Sequence, residues 1–187
     1  AIEAKPAAAE IHAGLGVTLR RLDRFDEAET CFRQAVSRDP GKASHHYNLG
    51  NFLRDADRPA EAEGPYRRAL ALDPANRFVM NNLAEVFTEC GRFAEALDLL
   101  RTALADKPDY ATARWNKSLL DLRLGNFAEG WRGYEWRWRY EGFPTPRRDL
   151  AQPLWLGDEP VAGKTVAVPW EQGLGDTIHF CRYLALL

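Results

Sequence analysis

The sequence predicts an all-α array of stacked helix hairpins, a superhelical solenoid, followed by the truncated strand-turn-helix opening of an α/β domain. Three observations carry this. Pro6, Pro40, Pro74 and Pro108 recur at intervals of 34 residues, and a fixed period of roughly 20 to 50 residues is the mark of a repeat architecture. Between successive prolines lie two segments of about 14 residues whose apolar positions have helical spacing. Near residue 142 the register stops: residues 142–163 carry Pro144, Pro146, Pro153 and Pro160 with Gly157 and Gly163, the composition of an irregular linker.

The elements can be taken in chain order. Ala1-Ile2-Glu3-Ala4-Lys5-Pro6 aligns without a gap on Ala103-Leu104-Ala105-Asp106-Lys107-Pro108, so residues 1–8 are expected to be the tail of an earlier unit. Residues 9–42, 43–76 and 77–110 form three full units. Each reads as a helix hairpin joined at Asp23-Arg24, Asp57-Arg58 or Gly91-Arg92. Small residues recur where the two helices must approach closely: Gly16, Gly50 and Ala84, then Ala28, Ala62 and Ala96. Phe32, Tyr66 and Leu100 fill the space beside them, and the closing proline ends the second helix because it has no amide hydrogen. Residues 111–142 form a fourth, divergent or capping unit joined at Gly125-Asn126. It keeps Ser118, Gly125 and Phe127, but Lys117 replaces a Leu, Gly130 an Ala and Gly142 the proline.

Composition narrows the function. With 45% hydrophobic and 28% charged residues the chain can bury a core. A net charge of -2 provides no broad field for nucleic acid or an anionic membrane, and no apolar run reaches the roughly 20 residues of a membrane span. Cys31, Cys90 and Cys181 are widely spaced and suit a reducing cytoplasm. Cys31 and Cys90 are expected to be small buried or half-buried residues within helices. His12, His45, His46 and His179 share no metal-ligand spacing, so neither a metal nor a cofactor is expected in this chain.

The repeated positions resemble the tetratricopeptide-repeat (TPR) family, whose 34-residue pattern sets a large residue, Leu-Gly, an aromatic, Ala, an aromatic, Ala and Pro at fixed offsets. The resemblance implies a scaffold for protein-protein interaction, its concave groove lined by the first helix of each hairpin and occupied by an extended polypeptide. One inward position holds Asn48, Asn82 and Asn116, with Gly14 in the first unit. This is similar to the asparagine ladder with which O-GlcNAc transferase holds substrate polypeptides. Tyr47, Asn51, Arg54, Asn81, Glu85 and Trp115 are further groove candidates. Two readings of the asparagines stand: hydrogen bonding to a bound peptide backbone, or bonding between the helices themselves. Ala13, Val17, Asn81 and Glu85 occupy positions where a carboxylate clamp of the Hsp90 type needs Lys and Arg. A C-terminal carboxylate is therefore not the expected ligand. Self-association through the exposed ends of the array is a further expected contact.

Phe127, Trp131, Tyr134 and Trp138 lie at i, i+4, i+7 and i+11 on one predicted helix. Their expected role is core packing against the linker and the domain after it, with a stacking platform as the alternative.

After the linker, 143–163, residues 164–187 read as the incomplete start of an α/β domain. Lys164-Thr165-Val166-Ala167-Val168 is the strand, Glu171-Gln172-Gly173-Leu174-Gly175-Asp176 the turn, and the helix begins at Thr177. Together with Pro153-Leu154-Trp155-Leu156-Gly157 and Arg182-Tyr183, these residues resemble the junction at which bacterial TPR arrays meet a heptosyltransferase-like (GT-B) glycosyltransferase domain. The resemblance implies that Asp176 is the catalytic base of a parent enzyme using a nucleotide sugar, with Gly173 and Gly175 shaping its loop. The alternative is that Asp176 caps the helix starting at Thr177. The chain alone is expected to be inert as a transferase.

Overall fold

The computed structural model describes residues 4–144 together with 155, 159–160 and 162–165. Among these residues the structure is helical, without strands. Eight α-helices run in order: α1 (Ala4–Arg21), α2 (Phe25–Arg38), α3 (Ala43–Asp55), α4 (Pro59–Leu72), α5 (Arg77–Glu89), α6 (Phe93–Asp106), α7 (Ala111–Arg123) and α8 (Phe127–Tyr134). A 3-10 helix, Glu135–Arg139, comes after them. None of the described helices is long and apolar enough to cross a membrane. The chain divides into two compact units, residues 1–136 and 137–187, and the first contains all eight α-helices.

Helices α1–α2, α3–α4, α5–α6 and α7–α8 pack as four hairpins, and α2, α4 and α6 each lie against the first helix of the next hairpin. The backbones of successive odd helices also come close, whereas those of successive even helices do not. A stack that is tighter along its odd helices bends toward them, so α1, α3, α5 and α7 line its inner face.

The chain reverses in the same way at all four hairpin turns. Asp23, Asp57, Gly91 and Gly125 adopt left-handed backbone, with φ of 57°, 59°, 76° and 82°. The next amide reaches back five residues: Arg24 N–H donates to the Leu19 carbonyl at 3.0 Å, Arg58 to Leu53 at 2.9 Å, Arg92 to Phe87 at 2.7 Å and Asn126 to Asp121 at 2.9 Å. This is the Schellman cap, which satisfies carbonyls that a helix end would otherwise orphan. The even helices end differently. Asp39, Asp73 and Lys107 make the last bonds, to Ala35, Ala69 and Ala103, and the prolines after them have no amide to continue.

Close approach of the two helices accounts for the small residues. A Cβ on Gly16 would come within 2.9 Å of the Phe32 ring, and one on Gly50 within 2.7 Å of the Tyr66 ring. Phe32, Tyr66 and Leu100 are all buried. The fourth hairpin departs from the pattern for steric reasons: a Cβ on Gly130 would meet Leu122 at 2.7 Å, and one on Gly133 would meet Ser118 at 2.8 Å.

Four expectations change. Helix α1 starts at Ala4 rather than residue 9, so residues 4–8, read as the tail of an earlier unit, are continuous with it. Pro6 sits in its first turn, where the missing amide breaks no helical bond, and Ala7, Ala8 and Ala9 favour helix. The aromatic stripe is broken, because α8 stops at Tyr134 and Trp138 falls in the 3-10 helix, paired with Phe143 at 5.4 Å. Gly130 and Gly133 weaken this short helix. Phe127 and Trp131 are 61% and 59% exposed, and Trp131 meets the Tyr134 ring at 5.4 Å; most of the linker they are expected to pack against lies outside the described residues. Cys31 is buried, but Cys90 is exposed because it falls at the C-cap of α5. Finally, Lys164 and Thr165 are in no strand. Val166 to Val168, the glycine turn with Asp176, the helix from Thr177, Cys181 and most of the linker lie outside the described residues.

Candidate functional site

The inner face carries a polar network built on the repeat. On α5, Asn82 Nδ2 donates to Asn51 Oδ1 at 2.8 Å and to Tyr47 Oη at 3.3 Å, both on α3. On α7, Asn116 Nδ2 donates to Glu85 Oε1 at 2.6 Å and to Asn81 Oδ1 at 3.0 Å, both on α5. Each amide thus reaches 31 and 35 residues back, by the same geometry one repeat apart. From α4, the buried Tyr66 hydroxyl donates to Asn51 Oδ1 at 2.7 Å, and burial pushes its phenol well above the usual range. Asn81 Nδ2 donates to Glu85 Oε1 at 2.9 Å, and Arg54 Nη1 closes the chain on Glu85 Oε2 at 2.6 Å. An ion pair of 2.9 Å between Arg20 and Asp55 links α1 to α3.

Asn48 occupies the same register but stands outside the network. The residues 31 and 35 positions before it are Val17 and Ala13, which offer no side-chain acceptor. Among the described residues it makes no hydrogen bond, and it is half-buried on the inner face. In the first hairpin the position is Gly14, beside open space.

The structure therefore brings together Tyr47, Asn51, Arg54, Asn81, Asn82, Glu85 and Asn116. Trp115 lies on the same helix as Asn116 and packs on Tyr134 at 4.9 Å between ring centres. The groove expectation needs correction at Asn81, which is buried (1% exposed) because Glu85 and Asn116 bond to it from the open side. Of the two readings of the ladder, bonding between helices describes the donors of Asn82 and Asn116. Asp176 lies outside the described residues.

A second periodic device is not apparent from the turns alone. Arg24, Arg58 and Arg92, which stand at the hairpin turns, each grip the Glu three positions on with two hydrogen bonds of 2.6–2.7 Å. Arg58 also reaches Glu29 and Arg92 reaches Glu63, both at 2.7 Å, across the seam to the preceding hairpin. These guanidinium groups hold the carboxyls of Glu27, Glu29, Glu61 and Glu95 below their usual range. Its sequence signal is an Arg with Glu at i+3, recurring every 34 residues. In the fourth hairpin Asn126 replaces the Arg and turns inward to Asp121 Oδ1 at 3.3 Å.

Helix α3 buries a histidine that has no hydrogen-bond partner. His45 on α3 is 1% exposed, neither ring nitrogen has a hydrogen-bond partner, and the carboxylates of Glu10 and Asp39 stand 4.0 Å away. Burial lowers its pKa, and those two carboxylates only partly oppose the shift.

Comparison with known proteins agrees with this geometry. Two family models described as tetratricopeptide repeat match residues 13–77 and 53–119. Protein FlbA of Caulobacter vibrioides is 33% identical over 76 residues, which is 41% of this chain and 13% of FlbA. The chain thus spans a small fraction of that relative's length. The solved structure of PilF from Pseudomonas aeruginosa superposes with a TM-score of 0.63 at 27% identity, covering 71% of this chain and 60% of PilF. MamA gives 0.64 at 22% identity, covering 69% of this chain and 70% of MamA. YrrB, described as a TPR protein with an unusual peptide-binding site, gives 0.62 at 20% identity, covering 69% of this chain and 66% of YrrB. At these identities MamA and YrrB speak to the fold alone. Residues 13–119, spanning helices from α1 into α7, are tetratricopeptide repeats, and the eight-helix array is a TPR solenoid.

Proposed function

We propose that the array is an interaction scaffold that holds an extended polypeptide along the face of α1, α3, α5 and α7. The observation that carries this reading is the half-exposed polar ribbon on that face, fixed by its own hydrogen bonds before any ligand arrives. Asn82 and Asn116 set the positions of Asn51, Tyr47 and Glu85, so little side-chain freedom remains to be lost on binding. Asn48 keeps both a donor and an acceptor for a peptide backbone. Arg54, paired with Glu85, adds charge-based selection. That YrrB is described as having a peptide-binding site supports the class of ligand and says nothing of its sequence.

The test is titration with a library of short unstructured peptides, then NMR mapping of the tightest. Amide shifts should concentrate on α3, α5 and α7. Shifts confined to α4 and α6, or no saturable binding at all, would contradict the proposal. A second proposal rests on the sequence resemblance of residues 153–183 alone: the array recruits polypeptides to a nucleotide-sugar transferase in which Asp176 is the base. We further propose a bacterial cytoplasmic setting, which the spacing of the cysteines suits, and self-association through the array ends.

A further inference from the structure

We propose that the seam between α6 and α8 is a binding pocket for a small organic anion with an aromatic or apolar portion, separate from the polypeptide face. The backbones of successive even helices stay apart, so each pair leaves a furrow floored by the odd helix between them. In the two earlier furrows the floor is apolar and buried: Leu49 and Leu53 on α3, Leu83 and Phe87 on α5. A strap also crosses each of these, Arg58 to Glu29 and Arg92 to Glu63. The third furrow lacks both features. Its strap positions are Asn126 and Leu97, which cannot pair, and its floor positions are Lys117 and Asp121.

What opens there is a cavity of about 490 Å³. Four cations line it, Arg101, Arg114, Lys117 and Arg132, against two carboxylates, Asp121 and Glu129. Lys117 Nζ donates to Asp121 Oδ2 at 2.6 Å, and the Asp121 side chain is 5% exposed, so a charged pair is built into the floor where the two earlier furrows have hydrocarbon. Arg132 pairs with Glu129 on the rim at 2.7 Å. Arg114 donates to the Pro108 carbonyl and lies with its guanidinium 4.5 Å from the centre of the Trp136 ring. Arg101 lies 3.4 Å from Asp98, outside the lining. Each guanidinium retains donors beyond these contacts, and the lining itself carries two positive charges in excess. Trp136 and Leu104 supply an apolar wall. Oxyanion donors, excess positive charge and an aromatic wall in one concavity are the recognition chemistry of an aromatic or aliphatic phosphate or carboxylate.

The departures of the fourth hairpin support this. A buried ion pair is usually no more stabilising than the hydrocarbon it replaces, so Lys117 and Asp121 have no packing advantage over the Leu pair of α3. Isothermal titration of the full chain with phenyl phosphate, benzoate and inorganic phosphate tests the proposal. One of the two aromatic anions should bind saturably, roughly tenfold tighter than inorganic phosphate. Lys117→Leu combined with Asp121→Leu, which restores the pattern of α3, should lower that affinity by about tenfold or more while the melting temperature holds or rises. Arg132→Ala, on the exposed rim, should weaken binding severalfold with the fold intact, and Arg33→Ala, far from this seam, should change nothing. The proposal fails if no probe binds, if inorganic phosphate binds as tightly as the aromatic anions, or if binding survives both the double substitution and Arg132→Ala.

Discussion

The seam between the second and third hairpins and the seam between the third and fourth use one backbone plan to opposite ends. Both have an odd helix beneath two even ones, and both begin from the same Schellman turn. In the first, Leu83 and Phe87 are buried and Arg92 straps the outside to Glu63. In the second, Lys117 pairs with Asp121, Asn126 has lost the strap, and a cavity stands open. Hairpin geometry and seam chemistry are therefore separable. Turns and small-to-large contacts inside a hairpin hold the helices in place, so a few substitutions between hairpins can change a packed seam into a polar one.

The largest effect is expected inside the hairpin. Gly50→Ala would put a methyl 2.7 Å from the fully buried Tyr66 ring. Overpacking of this kind costs about 1–3 kcal/mol, a fall of roughly 2–12 °C in melting temperature for a chain of this size. Adding Tyr66→Leu, which copies the Ala84–Leu100 pairing of the third hairpin, should recover part of the loss. Strictly additive effects in calorimetry would show that the glycine is not there for the ring.

An intermediate effect belongs to the first seam. His45 takes a position filled by the fully buried Val79 one repeat later, and both its ring nitrogens lack partners. Its folded pKa lies below the unfolded value of about 6.5. As pH falls through about 6.5 the unfolded chain takes up the proton first, and stability is lost until the folded ring also protonates. His45→Val should therefore raise the melting temperature at neutral pH by a few degrees and flatten its decline on the acid side. Glu10, Asp39, Lys42 and His46 face the ring and are unchanged in the variant. An unaltered pH profile would mean that His45 does not titrate as described.

The smallest effect is expected at the strap of the second seam. Arg92→Asn copies Asn126 into the second seam. Its bonds to Glu63 and Glu95 are partly exposed, so a loss of about 1–2 °C is expected at low salt, vanishing near 1 M salt where the Debye length is about 3 Å. A loss that persists in high salt would assign Arg92 a packing role, such as its stacking 4.1 Å from the Phe87 ring centre.

Much of this fold was legible because a 34-residue period is a one-dimensional signal. The prolines, the small residues and the hairpin turns each mark a boundary that depends only on local chain chemistry. The Gly16–Phe32 and Gly50–Tyr66 contacts were legible for the same reason, as complementary sizes recurring together. The site was legible as a face but not as a network. Nothing in the spacing of Asn48, Asn82 and Asn116 says that the last two reach 31 and 35 residues back, because that reach depends on how neighbouring hairpins are stepped. Once the step is known, Val17 and Ala13 explain why Asn48 differs. Arg24, Arg58 and Arg92 carry a readable signal, but their place at the turns masks their grip on Glu three residues on. The start of α1 was misplaced because Pro6 serves equally to end a helix or to occupy its first turn.

On the proposed reading, Asn82 and Asn116 hold the inner face rigid and Asn48 faces the bound polypeptide. Parallel thermal melts and fluorescence anisotropy on two variants test it most directly. Asn82→Ala with Asn116→Ala removes four hydrogen bonds between helices and should lower the melting temperature by several degrees, since acceptors are left unsatisfied. Asn48→Ala should melt within about a degree of the parent, yet bind the selected peptide roughly threefold to tenfold more weakly. An unshifted melt for the double variant, or unchanged peptide affinity for Asn48→Ala, would contradict the account.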